Sequence, residues 1–349
     1  MARAARVEPL IAARLSAQLL SGERAHDPVA VARRLLAVQG QDPRGARLAI
    51  RARSTGLSAA DVDRALSDER SLLITWCNRG TLHLIASVDY GWLHALTTPP
   101  LHRANATRLA QEGVSPAAAE RGVACIERAL AQEGPLDRAQ LRERLVAANV
   151  PIAGQALVHL LLLASLRGLI VRGPMRDGRH AYVLVRDWLG EPAPVDRERA
   201  LAELARRYLA GHGPADERDL AKWAGLPLRD VRAGLGAIAA ELDQRADGLL
   251  DLAAREAPAP PPPPRLLGAF DPLLLGWCSR EAILDSNTAI VTVNGLFRPF
   301  ALVRGRAVAT WKLGRAEVEL APFAPLPARE QAALSADAED VARFLGLVR

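Results

Sequence analysis

Two glutamines flank one glycine at Gln39-Gly40-Gln41, and Asp42 follows directly. An amide carries donors and acceptors together, so a pair of amides can hold a water or a sugar oxygen without being charged. A carboxylate beside them can serve as a base or as electrostatic support. The cluster sits between a helix-like apolar run over 27–38 and a second helix start at Pro43. The same residues would also suit a helix cap or a turn, because polar loop side chains commonly bond to nearby backbone. Both readings stay open on spacing alone.

His83 is the second candidate. It lies in an alternating run that places Thr81, His83 and Ile85 on one face of a strand and Leu82 and Leu84 on the other. A satisfied, half-buried histidine is the plainer reading of this pattern. His212, before Gly213-Pro214, reads as a turn residue. No phosphate-binding Gly-rich loop, no His-Glu-x-x-His motif and no cysteine pair is present, so no metal and no cofactor is expected. A Schiff-base mechanism would have to use Lys222 or Lys312, and neither is near Gln39 in sequence.

The elements that would position these residues are mostly helical as far as about residue 255. Helices are expected near 9–20, 28–38, 43–53 and 58–67, followed by a hairpin of 71–76 and 81–85 around the turn Asn78-Arg79-Gly80. Two later stretches match each other: Gly134-Pro135-Leu136-Asp137 through Leu141, and Gly213-Pro214-Ala215-Asp216 through Leu220. Each places Asp where a helix cap belongs, with Gln140 or Asp219 three residues on. After the first comes a helix over 155–167 and a hairpin of 169–172 and 181–185 whose tip carries Arg172, Arg176 and Arg179. This order is that of a winged helix, and the second copy has a weaker wing near 248–252. The proline run over 258–264 reads as a stiff linker. Beyond it, strands are expected at 289–293, 301–303 and 307–311, with Arg304-Gly305-Arg306 as a turn and a helix over 328–347.

The expected fold is mainly α with β: tandem winged-helix units, three in number, followed by a β-rich C-terminal region. The units span 1–115, 116–195 and 196–257, and the C-terminal region spans 265–349. The formal net charge of +6 favours a polyanionic partner such as nucleic acid. Of the 45 basic residues, Lys222 and Lys312 are the lysines and the rest are arginine, the better bidentate phosphate ligand. Three scattered cysteines fit a reducing cytosol, and no transmembrane or signal segment is read.

Taken in order, Gln39-Gly40-Gln41-Asp42, Arg79-Gly80-Thr81-Leu82-His83-Leu84, Leu267 to Trp277 with Arg280, and Gly295 to Pro299 leading to Val308-Ala309-Thr310-Trp311 resemble the winged-helix DNA glycosylases of the AlkZ/YcaQ type. The resemblance covers nearly the whole chain. It implies monofunctional hydrolysis of the N-glycosidic bond of N7-alkylated purines, with Gln39 and Gln41 in a concave DNA cleft, and the chemistry of a carboxylate beside them adds Asp42 as a catalytic assistant. YcaQ-like members usually carry Asp at the second glutamine, so Gln41 sides with the AlkZ branch, which acts on bulky adducts and interstrand crosslinks. The expected DNA contacts are Arg44, Arg79, Thr81, His83, Arg172, Arg176, Arg179, Arg298, Arg304 and Arg306. The expected partner is double-stranded DNA with alkylated bases, in the cytoplasm at the nucleoid, without membrane or obligate protein partner. A non-catalytic winged-helix regulator is the alternative, although such proteins usually carry one unit per chain and dimerise.

Overall fold

In the computed structural model, the described residues are 2–191, 193–285, 287–314 and 317–347, with side chains described from Glu8 onward. Their contacts divide the chain into two units, residues 63–200 and residues 1–62 together with 201–349. This corrects the expected linear division: the cuts fall at 62/63 and 200/201, and the first helices associate with the C-terminal part.

The duplication is visible in three dimensions. Helices Pro116–Glu133, Arg138–Ala147 and Ala156–Leu166 precede the hairpin Ile170–Arg176/Arg179–Leu184, and helices Arg197–His212, Glu217–Ala224 and Leu228–Ala237 precede the shorter hairpin Leu242–Gln244/Leu250–Leu252. Asp137 and Asp216 each close a capping box, with Gln140 and Asp219 respectively. Each box satisfies two helix-end amides that would otherwise lack partners. The residue before each Asp bridges to its own wing, Leu136 to Tyr182 and Ala215 to Leu250.

Within the unit of 63–200, strands Thr81–Ala86, Leu72–Cys77, Ile170–Arg176 and Arg179–Leu184 lie side by side in that order, all antiparallel. Leu72–Cys77 is buried along its whole length. That explains why it reads as a continuous apolar run rather than an alternating one.

In the other unit, strands Val318–Pro322, Arg306–Leu313, Phe300–Val303 and Arg265–Leu267 form an antiparallel sheet in that order. Helix Pro43–Ala52 packs on strand Arg265–Leu267, as does the C-terminal helix Ala328–Phe344. Two strands, Arg265–Leu267 and Val318–Pro322, escaped the sequence reading: the first is three residues long and directly follows the proline run, and the second alternates without a buried face. The expected strand at 289–293 is instead a loop with a single bridge, Val291 to Phe297. The proline run does not separate units, since both of its flanks belong to this one. Ala259 N donates to Ser16 Oγ at 3.0 Å, which seats the run against the N-terminal helix Ala2–Ala17.

Candidate active site

The glutamine segment is held by a sharp turn before it and a capped helix after it. Asp27 caps helix Pro28–Leu35, which ends at Leu36 in the left-handed region, φ 62°. That conformation is costly for a residue with a Cβ, and Leu36 is fully buried, so packing must hold it there. The chain then runs through the two-residue strand Val38–Gln39. Residues two apart on an extended chain point the same way, and here they meet: Gln39 Nε2 donates to Gln41 Oε1 at 2.5 Å. This bond leaves Gln39 Oε1 as an acceptor and Gln41 Nε2 as a donor for a further group. Gln39 is buried and Gln41 exposed, so the pair runs from the protein interior to its surface.

The helix cap is made by Asp42. Its Oδ1 accepts from Gly45 N at 2.7 Å, opening helix Pro43–Ala52. The capping reading left open for the glutamines therefore belongs to Asp42, whose second carboxylate oxygen remains for other work. Arg44 projects from the first turn and is exposed.

The helix behind this segment is anchored at both ends. Gly45 lies against Gly268 and Ala269, and a Cβ on Gly45 would stand 2.3 Å from Ala269 O. At the other end, Arg53 donates to both oxygens of Asp271, at 2.8 and 2.9 Å, and to Gln18 Oε1 at 2.7 Å. Both partners of this ion pair are fully buried, with 0% side-chain exposure. Gln18 Nε2 in turn donates to Pro272 O, Trp311 Nε1 to Leu267 O, and Trp277 Nε1 to His212 O under the guanidinium of Arg14. The run from Leu267 to Trp277 is thus the framework that holds the glutamine helix.

A profile of the family described as DNA glycosylase AlkZ-like matches residues 32–344. The chain belongs to this family. It is similar to an interstrand DNA cross-link repair glycosylase of Streptomyces sahachiroi, with 27% identity over 90% of each chain. It is also similar to the solved structure of the Streptomyces sahachiroi DNA glycosylase AlkZ, at TM-score 0.78 and 26% identity, covering 97% of this chain and 96% of that one. The protein is a monofunctional DNA repair glycosylase of mixed α/β fold, and DNA is its partner. None of its described helices is long and apolar enough to cross a membrane.

Several of the expected DNA contacts in this AlkZ-like chain have other occupations. His83 is buried, its Nδ1 donating to Thr81 O at 2.9 Å, and burial together with the Arg79 charge pushes its pKa down to about 3. It is a neutral interior histidine, which corrects its assignment to the DNA surface; burial on both strand faces made the alternation misleading. Arg172 donates to Tyr182 Oη at 3.0 Å and lies over the Trp76 and Tyr182 rings, clamped onto its sheet. Arg176 Nη1 donates to Pro135 O at 2.7 Å, and Arg179 pairs with Asp137 at 3.5 Å, so both bind the turn that opens helix Arg138–Ala147 while staying exposed.

Thr81 is part-exposed, but its Oγ1 is buried without a partner, and Arg79 holds a left-handed backbone, φ 51°. In the other unit, the turn Arg304-Gly305-Arg306 is seated on the N-terminal helix: a Cβ on Gly305 would stand 2.2 Å from Ile11 Cγ2. Arg304 reaches Glu330 at 3.4 Å. Gln39, Gln41, Asp42 and Arg44 are the expected residues brought together by one local segment.

Sequence reasoning missed the loop tip Val293-Asn294-Gly295-Leu296. Val293 is 103% exposed and Leu296 56%, beside exposed Arg298. The base of this loop is tied by Thr292 N to Leu296 O and Arg298 N to Ile290 O, both at 2.9 Å, and Phe297 packs between Phe270 and the Arg280 guanidinium. Apolar side chains held outward on a tied loop are a recognisable contact surface. The available signal was the Val-Asn-Gly-Leu sequence, which combines a turn with apolar flanks.

Proposed function

We propose that this glycosylase hydrolyses the N-glycosidic bond of N7-alkylated purines in double-stranded DNA, including bulky adducts and interstrand crosslinks. An N7-alkyl purine is cationic and needs no strong acid to leave. The bond to the sugar breaks, its electron pair neutralises the departing base, and water adds to the sugar carbon left with oxocarbenium character. The enzyme must then place water and surround positive charge with oriented dipoles. The observation that carries this reading is the joined amide pair, with Gln39 Oε1 free to accept from a water and Asp42 alongside to take its proton. The two lysines are engaged elsewhere, Lys222 with Cys278 O and Lys312 with Glu319, in keeping with hydrolysis rather than Schiff-base chemistry.

The test is base release from a duplex containing a single N7-methylguanine, under single-turnover conditions, compared with the Gln39→Ala/Gln41→Ala double variant. Removing oriented dipoles at a developing charge is expected to slow release by about tenfold to a thousandfold, with DNA affinity and Tm little changed. Excision at the wild-type rate in the double variant would refute the assignment.

A further inference from the structure

The end of helix Pro43–Ala52 remote from the glutamines opens onto a second, unassigned feature. A cavity of about 90 Å³ is lined by Arg24, Arg51, Arg265, Arg343 and Asp340, with Ser54 to Leu57 along one side. Arg51 binds Asp337 at 2.8 Å and Asp340 at 3.0 Å, Arg265 binds Asp337 at 3.0 Å, and Arg343 binds Asp340 at 2.7 Å. Three guanidiniums therefore share two carboxylates.

Arg24 is the cation left over. Among the described residues it makes neither a hydrogen bond nor an ion pair. It is only part-exposed, and its pKa is lowered first by burial and then by the neighbouring charge of Arg265, with Asp340 and Asp337 opposing the shift and Arg51 adding to it. Arg265 Nε and Arg51 Nε are also buried without acceptors. Concentrating unmatched positive charge in a partly dry pocket is unfavourable unless an anion completes it. The space equals that of a few water molecules, enough for one tetrahedral oxyanion, and guanidinium forks bind such oxygens in pairs. The two aspartates hold Arg51, Arg265 and Arg343 in place and leave the net charge positive. Arg24 also lines an adjoining open groove of about 680 Å³, which offers access.

We propose that this pocket binds a single phosphate group, with Arg24 as its principal ligand. The phosphate is either a backbone phosphodiester of bound DNA or a free inorganic ion, and the two sources give different results. The full-length protein is melted in inorganic phosphate and in chloride at matched ionic strength, and its affinity for duplex DNA is measured across a salt series. Wild type, Arg24→Gln and Arg24→Lys are compared. Because Arg24 has no hydrogen-bond or ion-pair partner to lose among the described residues, Arg24→Gln should melt in chloride close to the wild-type Tm, which shows it folded.

For a free ion, phosphate raises the wild-type Tm, Arg24→Gln loses the rise, Arg24→Lys keeps part of it, and the DNA salt dependence is unchanged. For a DNA phosphodiester, Arg24→Gln lowers the slope of log affinity against log salt by about 1, whether or not free phosphate shifts the Tm. A phosphate-dependent rise retained in Arg24→Gln, with the slope against salt unchanged, overturns the proposal. So does the absence of both a phosphate rise in wild type and a change of slope in the variant.

Discussion

Gly45 and Gly268 meet backbone to backbone, so closely that a side chain on Gly45 has no room and one on Gly268 is tight. A Cβ on Gly268 would stand 3.0 Å from Gly45 Cα, and one on Gly45 would stand 2.3 Å from Ala269 O. The contact joins the first turn of the helix opened by Asp42 to the loop that leads into Asp271. The height of that helix start, and with it the position of Gln41, is set by the missing Cβ atoms.

Gly45→Ala should therefore disturb position as well as stability. Overpacking against backbone costs about 1–3 kcal/mol, because a carbonyl cannot swing aside as a side chain can. The expected result is a lower Tm and slower base release, both read on the same preparation. A variant with wild-type Tm and rate would show that the approach is compliant.

The buried pair of Arg53 and Asp271 should show the asymmetry of interior charges. Asp271→Leu leaves the guanidinium without its carboxylate at a site of 0% exposure and should cost about 3–5 kcal/mol. In Arg53→Met/Asp271→Leu no charge is stranded, and the loss should be well below the sum of the single variants. Denaturant unfolding of the four proteins of this cycle gives the coupling directly. Simple additivity would mean that the pair is not energetically linked.

Burial of His83 predicts a pH dependence of stability. Its folded-state pKa is held at about 3, against an ordinary 6.5, so the unfolded chain gains a proton that the folded chain refuses. The resulting loss is absent above about pH 7 and grows as the pH falls from 6.5 towards 3, by up to about 1.4 kcal/mol per pH unit. Wild-type Tm should fall more steeply between pH 7 and pH 5 than that of His83→Asn, whose amide can still donate to Thr81 O. Parallel curves for the two proteins would remove His83 as the source.

At the site itself, Gln41→Asp exchanges the exposed amide for a carboxylate on a side chain one methylene shorter. It should retain release of N7-methylguanine and alter the rate on bulky adducts, measured as a ratio of single-turnover rates on the two substrates. A carboxylate can still accept from Gln39 Nε2, but the shorter side chain withdraws the acceptor and opens space between the two residues. Equal loss on both substrates would count against a role of Gln41 in substrate range.

The sequence alone determined the local events of this protein. Asp137 and Asp216 cap helices where their spacing said they would, Asp27 and Asp42 cap theirs by the same local chemistry, and the duplicated helices and hairpins follow from caps and turns written within a few residues of one another. The spacing of Gln39 and Gln41 placed two amides side by side because an extended chain repeats every two residues.

Tertiary structure decided which side chains are left over for function. Arg172, Arg176 and Arg179 look alike in sequence, yet stacking on Trp76 and Tyr182 or bonding to Pro135 and Asp137 occupies them. His83 reads as half-exposed and is interior, because its strand is covered on both faces. Asp271 and Arg53 meet across 218 residues, and Gly45 meets Gly268 across a similar span. Capping and strand alternation act over neighbouring residues and leave a pattern in the chain. Burial, ion pairing and close backbone approach depend on residues that folding alone brings together.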